Sequence, residues 1–166
     1  IIPKHMEPLS AKLEEMGIEL ESGDDWIRVR RNRRRDMIST NFITMPYPGF
    51  PTDLQPQTTV LLTLAKGTGR ITESVWDNRY QYVDELKMMG AEIVLTGKVA
   101  TVTGPANLTG AMVNARDLRA GAAMVIAGLS AQGTTKIRDI KTIERGYENF
   151  EKKLRSLGAD ITVEED

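Results

Sequence analysis

Leu86-Lys87-Met88-Met89-Gly90-Ala91-Glu92-Ile93 reads as the last turn of an amphipathic helix, a glycine C-cap and the start of a strand. The pattern occurs twice more, at Leu13-Glu14-Glu15-Met16-Gly17-Ile18-Glu19-Leu20 and at Leu154-Arg155-Ser156-Leu157-Gly158-Ala159-Asp160-Ile161. In the copies at Gly17 and Gly90 a short polar turn follows, Ser22-Gly23-Asp24-Asp25 or Gly97-Lys98, and then a second strand. The copy at Gly158 runs off the end of the chain at Asp166. Such recurrence is the mark of a repeat architecture.

The segments between the copies repeat as well. Thr52-Asp53-Leu54-Gln55 aligns with Arg116-Asp117-Leu118-Arg119, and each opens an apolar helix. The first runs over residues 54–65; the second carries Ala122-Ala123-Met124-Val125-Ile126-Ala127. Gly67-Thr68-Gly69 matches Gly133-Thr134-Thr135, ahead of short strands over 70–75 and 136–140. Asn78-Arg79-Tyr80 matches Glu144-Arg145-Gly146, opening the amphipathic helix that ends at Gly90 or Gly158. The unit is therefore βαβαββ, an α/β (α+β type) arrangement of mixed sheets with crossover helices. The Ala- and Gly-rich helix is expected to be enclosed on several sides. Units of this kind bury their apolar faces only against one another. The chain holds one full unit, most of a second and the tail of a third, so residues 1–166 are expected to form a single partial domain. Its start at Ile1 rather than Met also suggests a piece of something longer.

Composition narrows the function classes. With 166 residues, 40% hydrophobic and 27% charged, the chain suits one globular domain with a sizeable core. A net charge of −1 gives no bulk attraction to nucleic acid or an anionic membrane. Cysteine is absent, which removes disulfides, thiolate catalysis and thiolate metal ligation, and His5 alone builds no metal site. No apolar run approaches the roughly 20 residues needed to span a bilayer, and no signal peptide is visible. A soluble, cytoplasmic protein without metal or cofactor is the expectation. The basic run Arg28 to Arg35 follows a strand and lacks interleaved aromatics, so it reads as a solvated loop rather than a nucleic-acid arm. Met88, Met89 and Met124 read as core, and Gly67-x-Gly69 as a turn at a helix C-terminus rather than a nucleotide fingerprint.

The chemistry gathers at the helix starts. Pro46-Tyr47-Pro48-Gly49-Phe50-Pro51 is a stiff loop that delivers Thr52 and Asp53 to an apolar helix. A capping box, Thr52-x-x-Gln55, explains these residues on its own; a positioned carboxylate explains them equally. Aligning the units sets Asp53 beside Asp117 and Arg79 beside Arg145, with Arg119 two residues past Asp117. Helix N-termini favour anions, so arginines placed there oppose the helix dipole. Arginines in solvated pairs with Glu73, Asp77 or Glu144 are one account of them. Guanidinium forks for a polyanionic substrate are the favoured one.

These residues carry a resemblance. Tyr47 to Gln57, Gly67 to Tyr80, Asp117-Leu118-Arg119-Ala120 and Glu144-Arg145-Gly146-Tyr147-Glu148 resemble, in order, the UDP-N-acetylglucosamine 1-carboxyvinyltransferase family. The first stretch is specific, and the sister shikimate-pathway enolpyruvyl transferases lack it. The resemblance implies an inside-out α/β barrel of repeated units, incomplete here, with helices inside and sheets outside. It implies transfer of the enolpyruvyl group of phosphoenolpyruvate to the 3-hydroxyl of UDP-N-acetylglucosamine with release of phosphate, the first committed step of peptidoglycan synthesis. By the same resemblance Asp53 takes the sugar proton, Val75 touches the UDP-sugar through its backbone, and Asp117 is an acidic partner near the reacting centre. Arg79, Arg119 and Arg145 serve phosphoenolpyruvate and the closed state. The family's lysine–asparagine pair, its loop acid and a further arginine lie upstream and have no counterpart here. The chain thus resembles a C-terminal part, expected to be inactive alone, to need the N-terminal part as partner, and to self-associate weakly through an unpaired sheet edge. A shikimate-pathway transferase and a non-catalytic nucleotide-sugar or protein-binding repeat module are the alternatives.

Overall fold

The structure is a computed structural model that describes residues 1–32 and 34–164. Arg33 of the basic run, and Glu165 and Asp166 where the last repeat runs out, lie outside the described residues. Helix α1 (Glu7–Glu15) leads into the antiparallel hairpin of β1 (Glu19–Ser22) and β2 (Ile27–Arg30). A full unit follows: β3 (Phe42–Ile43), α2 (Gln55–Thr63), β4 (Gly67–Thr72), α3 (Val83–Met88), β5 (Glu92–Thr96) and β6 (Val99–Gly104). The second unit gives β7 (Met112–Asn114), α4 (Leu118–Ser130), β8 (Lys136–Arg138), α5 (Lys141–Glu144) and α6 (Phe150–Ser156). Gly17, Gly90 and Gly158 follow α1, α3 and α6 with φ of 83°, 97° and 93°, values that side chains with a Cβ rarely adopt, so the three glycine stops are real.

The full unit forms one sheet in the order β3-β4-β6-β5, with β3 parallel to β4 and the remaining pairs antiparallel. In the second unit β7 pairs with β8 in parallel, and no further strand is added among the described residues. The strand expected around Ile161 does not form there. Strand β8 consequently keeps open the edge that β4 gives to β6. The sheets close no barrel among the described residues, which is the incomplete form of the expected architecture.

The two units are built on one hydrogen-bond plan. Met37 C=O receives Lys66 N–H at 2.7 Å, and Leu108 C=O receives Gln132 N–H at 2.8 Å. Thr44 N–H donates to Thr72 C=O at 3.0 Å, and Ala115 N–H to Arg138 C=O at 2.9 Å. Lys66 therefore answers to Gln132, Thr44 to Ala115 and Thr72 to Arg138. Helices α2 and α4 pack against each other between the sheets, and Val60, Leu62, Ala123, Met124 and Ala127 are fully buried there. The small residues of α4 let α5 approach so closely that a Cβ on Gly121 would sit 2.5 Å from Ile143 Cγ1.

Three local readings change. Met89 and Met124 are core, but Met88 is 56% exposed because it falls on the outer face of the last turn of α3. Strand β4 begins at Gly67 rather than at residue 70, since the bare Gly69 lets the chain pass hard against Ser39 and Thr40. Helix α2 begins at Gln55, behind a separate 3₁₀ turn, Thr52–Leu54. Among the described residues no helix is long and apolar enough to cross a membrane.

Candidate functional site

Phe50 anchors the proline-rich loop, buried against Phe42 with ring centroids 5.1 Å apart. Met45 N–H donates to Phe50 C=O at 2.8 Å and Gly49 N–H to Pro46 C=O at 2.8 Å, closing the loop on itself. Pro51 then starts the 3₁₀ turn that carries Thr52 and Asp53. The capping box does not form. Thr52 Oγ1 donates to Glu73 Oε2 at 3.0 Å, Gln55 is buried with its Oε1 accepting from the Tyr82 hydroxyl at 2.8 Å, and α2 has no side-chain cap. Burial raises the Tyr82 phenol well above its ordinary value, so that hydroxyl remains a donor. Asp53 is left with its side chain 60% exposed, and its Oδ1 accepts from Arg119 Nε. That hydrogen bond pushes the Arg119 guanidinium further up.

Asp117 behaves differently. It is the N-cap of α4, where Oδ1 accepts from Arg119 N–H at 2.7 Å and Ala120 N–H at 2.9 Å. The backbone register explains why the two aspartates part: with Lys66 matched to Gln132, Asp53 is level with Arg119, while Asp117 is level with Pro51. The pairing of Asp53 with Asp117 is thereby corrected, and Asp53 and Arg119 are the equivalent positions that meet between the units. Removing the cap as Asp117→Ala is predicted to cost about 1 kcal/mol, read from the denaturant midpoint, with Asp117→Ser recovering most of it. Equal losses for Ala and Ser would contradict the cap.

The arginines occupy three settings. Arg119 spends only Nε on Asp53, and neither of its Nη groups is bonded among the described residues. Arg79 is 8% exposed at the start of a 3₁₀ turn, its guanidinium 5.7 Å from the Trp76 ring and its Nε without a partner among the described residues. Arg145 is exposed at the C-cap of α5, not at the opening of a helix as expected, and a cation there complements the dipole. Its neighbour Gly146 packs on Leu118, beside Arg119. No hydrogen bond or ion pair among the described residues joins Arg79 or Arg145 to either aspartate. The solvated pairs do not form either: Asp77 takes Lys98 at 2.8 Å, which lowers the Asp77 carboxyl and raises the Lys98 ammonium.

Arg79 opens onto a cleft of about 520 Å³ lined by Glu73, Trp76, Tyr80, Leu95 and Lys98 as well. Val75 precedes the lining residue Trp76, and its N–H donates to Glu73 Oε1 at 2.9 Å. Sequence reasoning missed Glu73 as more than a surface partner. Its carboxylate is 1% exposed and accepts from Thr44 Oγ1, Thr52 Oγ1, Val75 N–H and Trp76 N–H at 2.8 to 3.0 Å. Local spacing accounts for the Val75 and Trp76 donors alone; the Thr44 and Thr52 hydroxyls come from separate segments and carry no local signal.

Residues 3–154 match the family described as EPSP synthase (3-phosphoshikimate 1-carboxyvinyltransferase). Among curated relatives, UDP-N-acetylglucosamine 1-carboxyvinyltransferase 2 of Caldanaerobacter subterraneus is 50% identical over 160 residues, 96% of this chain and 38% of its own length. UDP-N-acetylglucosamine 1-carboxyvinyltransferase of Clostridium botulinum is 51% identical over 161 residues, 97% of this chain and 38% of its own length. The chain thus spans well under half the length of these relatives. Among solved structures, the enolpyruvyl transferase NikO of Streptomyces tendae superposes with a TM-score of 0.87 at 30% identity, over 95% of this chain and 36% of that one. EPSP synthase of Acinetobacter baumannii superposes with a TM-score of 0.67 at 17% identity, over 95% of this chain and 37% of that one, a likeness of fold alone.

Proposed function

The chain belongs to the EPSP synthase (3-phosphoshikimate 1-carboxyvinyltransferase) family, and from that premise we propose that it is part of an enzyme that moves the enolpyruvyl group of phosphoenolpyruvate onto UDP-N-acetylglucosamine. The observation that carries the reading is the Asp53–Arg119 pair. An exposed carboxylate, not used as a cap, is aimed by a guanidinium that keeps both Nη groups for an anion. The acceptor is argued from the relatives, half identical to this chain and named for UDP-N-acetylglucosamine.

The chemistry follows from the groups present. The sugar 3-hydroxyl attacks C2 of phosphoenolpyruvate while Asp53 takes its proton, help typically worth ~10²–10⁴-fold. C3 gains a proton from an acid that this chain does not supply, giving a tetrahedral adduct. Loss of a C3 proton and departure of phosphate then leave the enol ether. The Arg119, Arg79 and Arg145 guanidiniums steady the substrate carboxylate and phosphate as charge shifts between them. The Val75 carbonyl accepts from the sugar nucleotide, and Asp117 fixes the start of α4 from which Arg119 projects. The remaining polypeptide supplies the acid, closes over the site and excludes water, and it covers the open edge of β8, through which isolated copies of the chain associate weakly. We place the reaction in the cytoplasm, as a step of peptidoglycan synthesis, with 1–166 as one partial domain.

The test is phosphate release from phosphoenolpyruvate by a polypeptide of the relatives' full length that contains this chain. Release that requires UDP-N-acetylglucosamine is the predicted result. Release with shikimate 3-phosphate instead, or none from the folded protein, would overturn the reading.

A further inference from the structure

We propose that Glu73 is a positioning residue of this site, holding the turn that carries Asp53 and the loop that carries Val75 in one fixed relation; the inference rests on the reading of Asp53 and Val75 given above. The carboxylate is buried, and among the described residues no cation pairs with it. A buried charge of this kind is costly unless its oxygens are hydrogen-bonded, and here both are. Oε1 accepts from Thr44 Oγ1 at 2.8 Å, Val75 N–H at 2.9 Å and Trp76 N–H at 2.9 Å, while Oε2 accepts from Thr52 Oγ1 at 3.0 Å. Ser74 N–H donates in turn to Thr44 Oγ1 at 3.0 Å, so the whole 74–76 loop hangs on two side chains. One oxygen therefore sets the Val75 loop and the other sets the residue before Asp53.

The second unit shows that the fold does not require this arrangement. Its backbone follows the same hydrogen-bond plan, yet Ala115 stands where Thr44 stands and Leu118 where Thr52 stands. The position of Glu73 is taken by Asp139, exposed at φ 60° and without a side-chain partner among the described residues. Among the described residues, this carboxylate and its hydroxyl donors have no counterpart in the second unit. A device absent from the equivalent unit and tied to both sugar-side elements serves the site rather than the scaffold.

The experiment uses the full-length polypeptide and measures kcat and both KM values together with the melting temperature. Thr52→Val deletes the bond to Oε2 and leaves the Val75 side of the network in place. It is predicted to lower kcat roughly tenfold to a hundredfold, as small misplacements of reacting groups do, with the KM for phosphoenolpyruvate and the melting temperature near wild type. Thr52→Ser, which keeps the hydroxyl, recovers most of that loss. Glu73→Gln keeps one acceptor oxygen and can donate to Thr52, so it recovers most of the kcat lost in Glu73→Ala, and it carries the test should Thr52→Val fail to fold. Wild-type kcat in Thr52→Val, or equal loss in Thr52→Ser, would overturn the proposal, as would Glu73→Gln as impaired as Glu73→Ala. A wild-type protein without sugar-dependent phosphate release would instead overturn the transferase reading itself, which keeps the two failures apart.

Discussion

Replacing Asp53 by Ala in the full-length polypeptide is expected to lower sugar-dependent phosphate release by about 10²–10⁴-fold without unfolding the protein. The stability half comes from the geometry, and the loss of rate from the role proposed for Asp53. Asp53 is largely exposed and caps nothing, and its bond to Arg119 Nε joins partly exposed side chains. An ion pair of that kind contributes about 0–1 kcal/mol, so the melting temperature should move little. On the proposed reading, the loss of rate comes from removing the proton acceptor and from freeing the guanidinium that Asp53 holds. Asp53→Asn separates the two effects, because the amide oxygen can still receive Arg119 Nε but is no base. If Asn falls as far as Ala, Asp53 acts on the proton; if Asn keeps wild-type turnover, Asp53 only anchors Arg119 and the base lies elsewhere.

The largest expected loss of stability lies at Arg116. Glu85 on α3 is 1% exposed, and its carboxylate accepts from Arg116 Nε at 3.2 Å and Asn114 N–H at 3.2 Å, with Arg116 Nη2 at 3.1 Å. This pair fastens the last helix of the first unit to the segment between β7 and α4, and so joins the units. Arg116→Ala strands a buried carboxylate with one N–H donor. The expected cost is about 3 kcal/mol, at the low end for an unpaired buried charge because Arg116 is itself half exposed. Glu85→Gln added to Arg116→Ala should recover more than half of it, since an amide has no charge to strand. Urea denaturation decides the matter: a cost under about 1 kcal/mol, or no recovery in the double variant, would contradict the account.

The parts of the fold legible in the sequence were those with local causes. The glycine stops at Gly17, Gly90 and Gly158 need a positive φ at one residue, and the buried helix 118–130 announces itself by composition. What failed to be legible was set at a distance. The strand expected near Ile161 depends on a neighbour that the described residues do not provide. Asp53 and Asp117 looked alike because each precedes a leucine at a helix start. Only the backbone register, fixed by partners such as Met37 for Lys66 and Leu108 for Gln132, shows that Asp53 answers to Arg119. Thr52 and Gln55 fit a capping box by spacing, yet stronger buried partners, Glu73 and Tyr82, claim their side chains. Alignment with Arg79 puts Arg145 at a helix opening, but α5 ends before α6 begins, which leaves it at a C-terminus.

In the proposed reaction Asp53 faces the acceptor hydroxyl of a sugar nucleotide. The direct measurement is a crystal structure of the full-length polypeptide with UDP-N-acetylglucosamine bound. The expected result is the sugar 3-hydroxyl within about 2.6–3.2 Å of an Asp53 carboxylate oxygen, with the Val75 carbonyl also against the ligand. A sugar nucleotide bound with its 3-hydroxyl out of reach of Asp53 would contradict it.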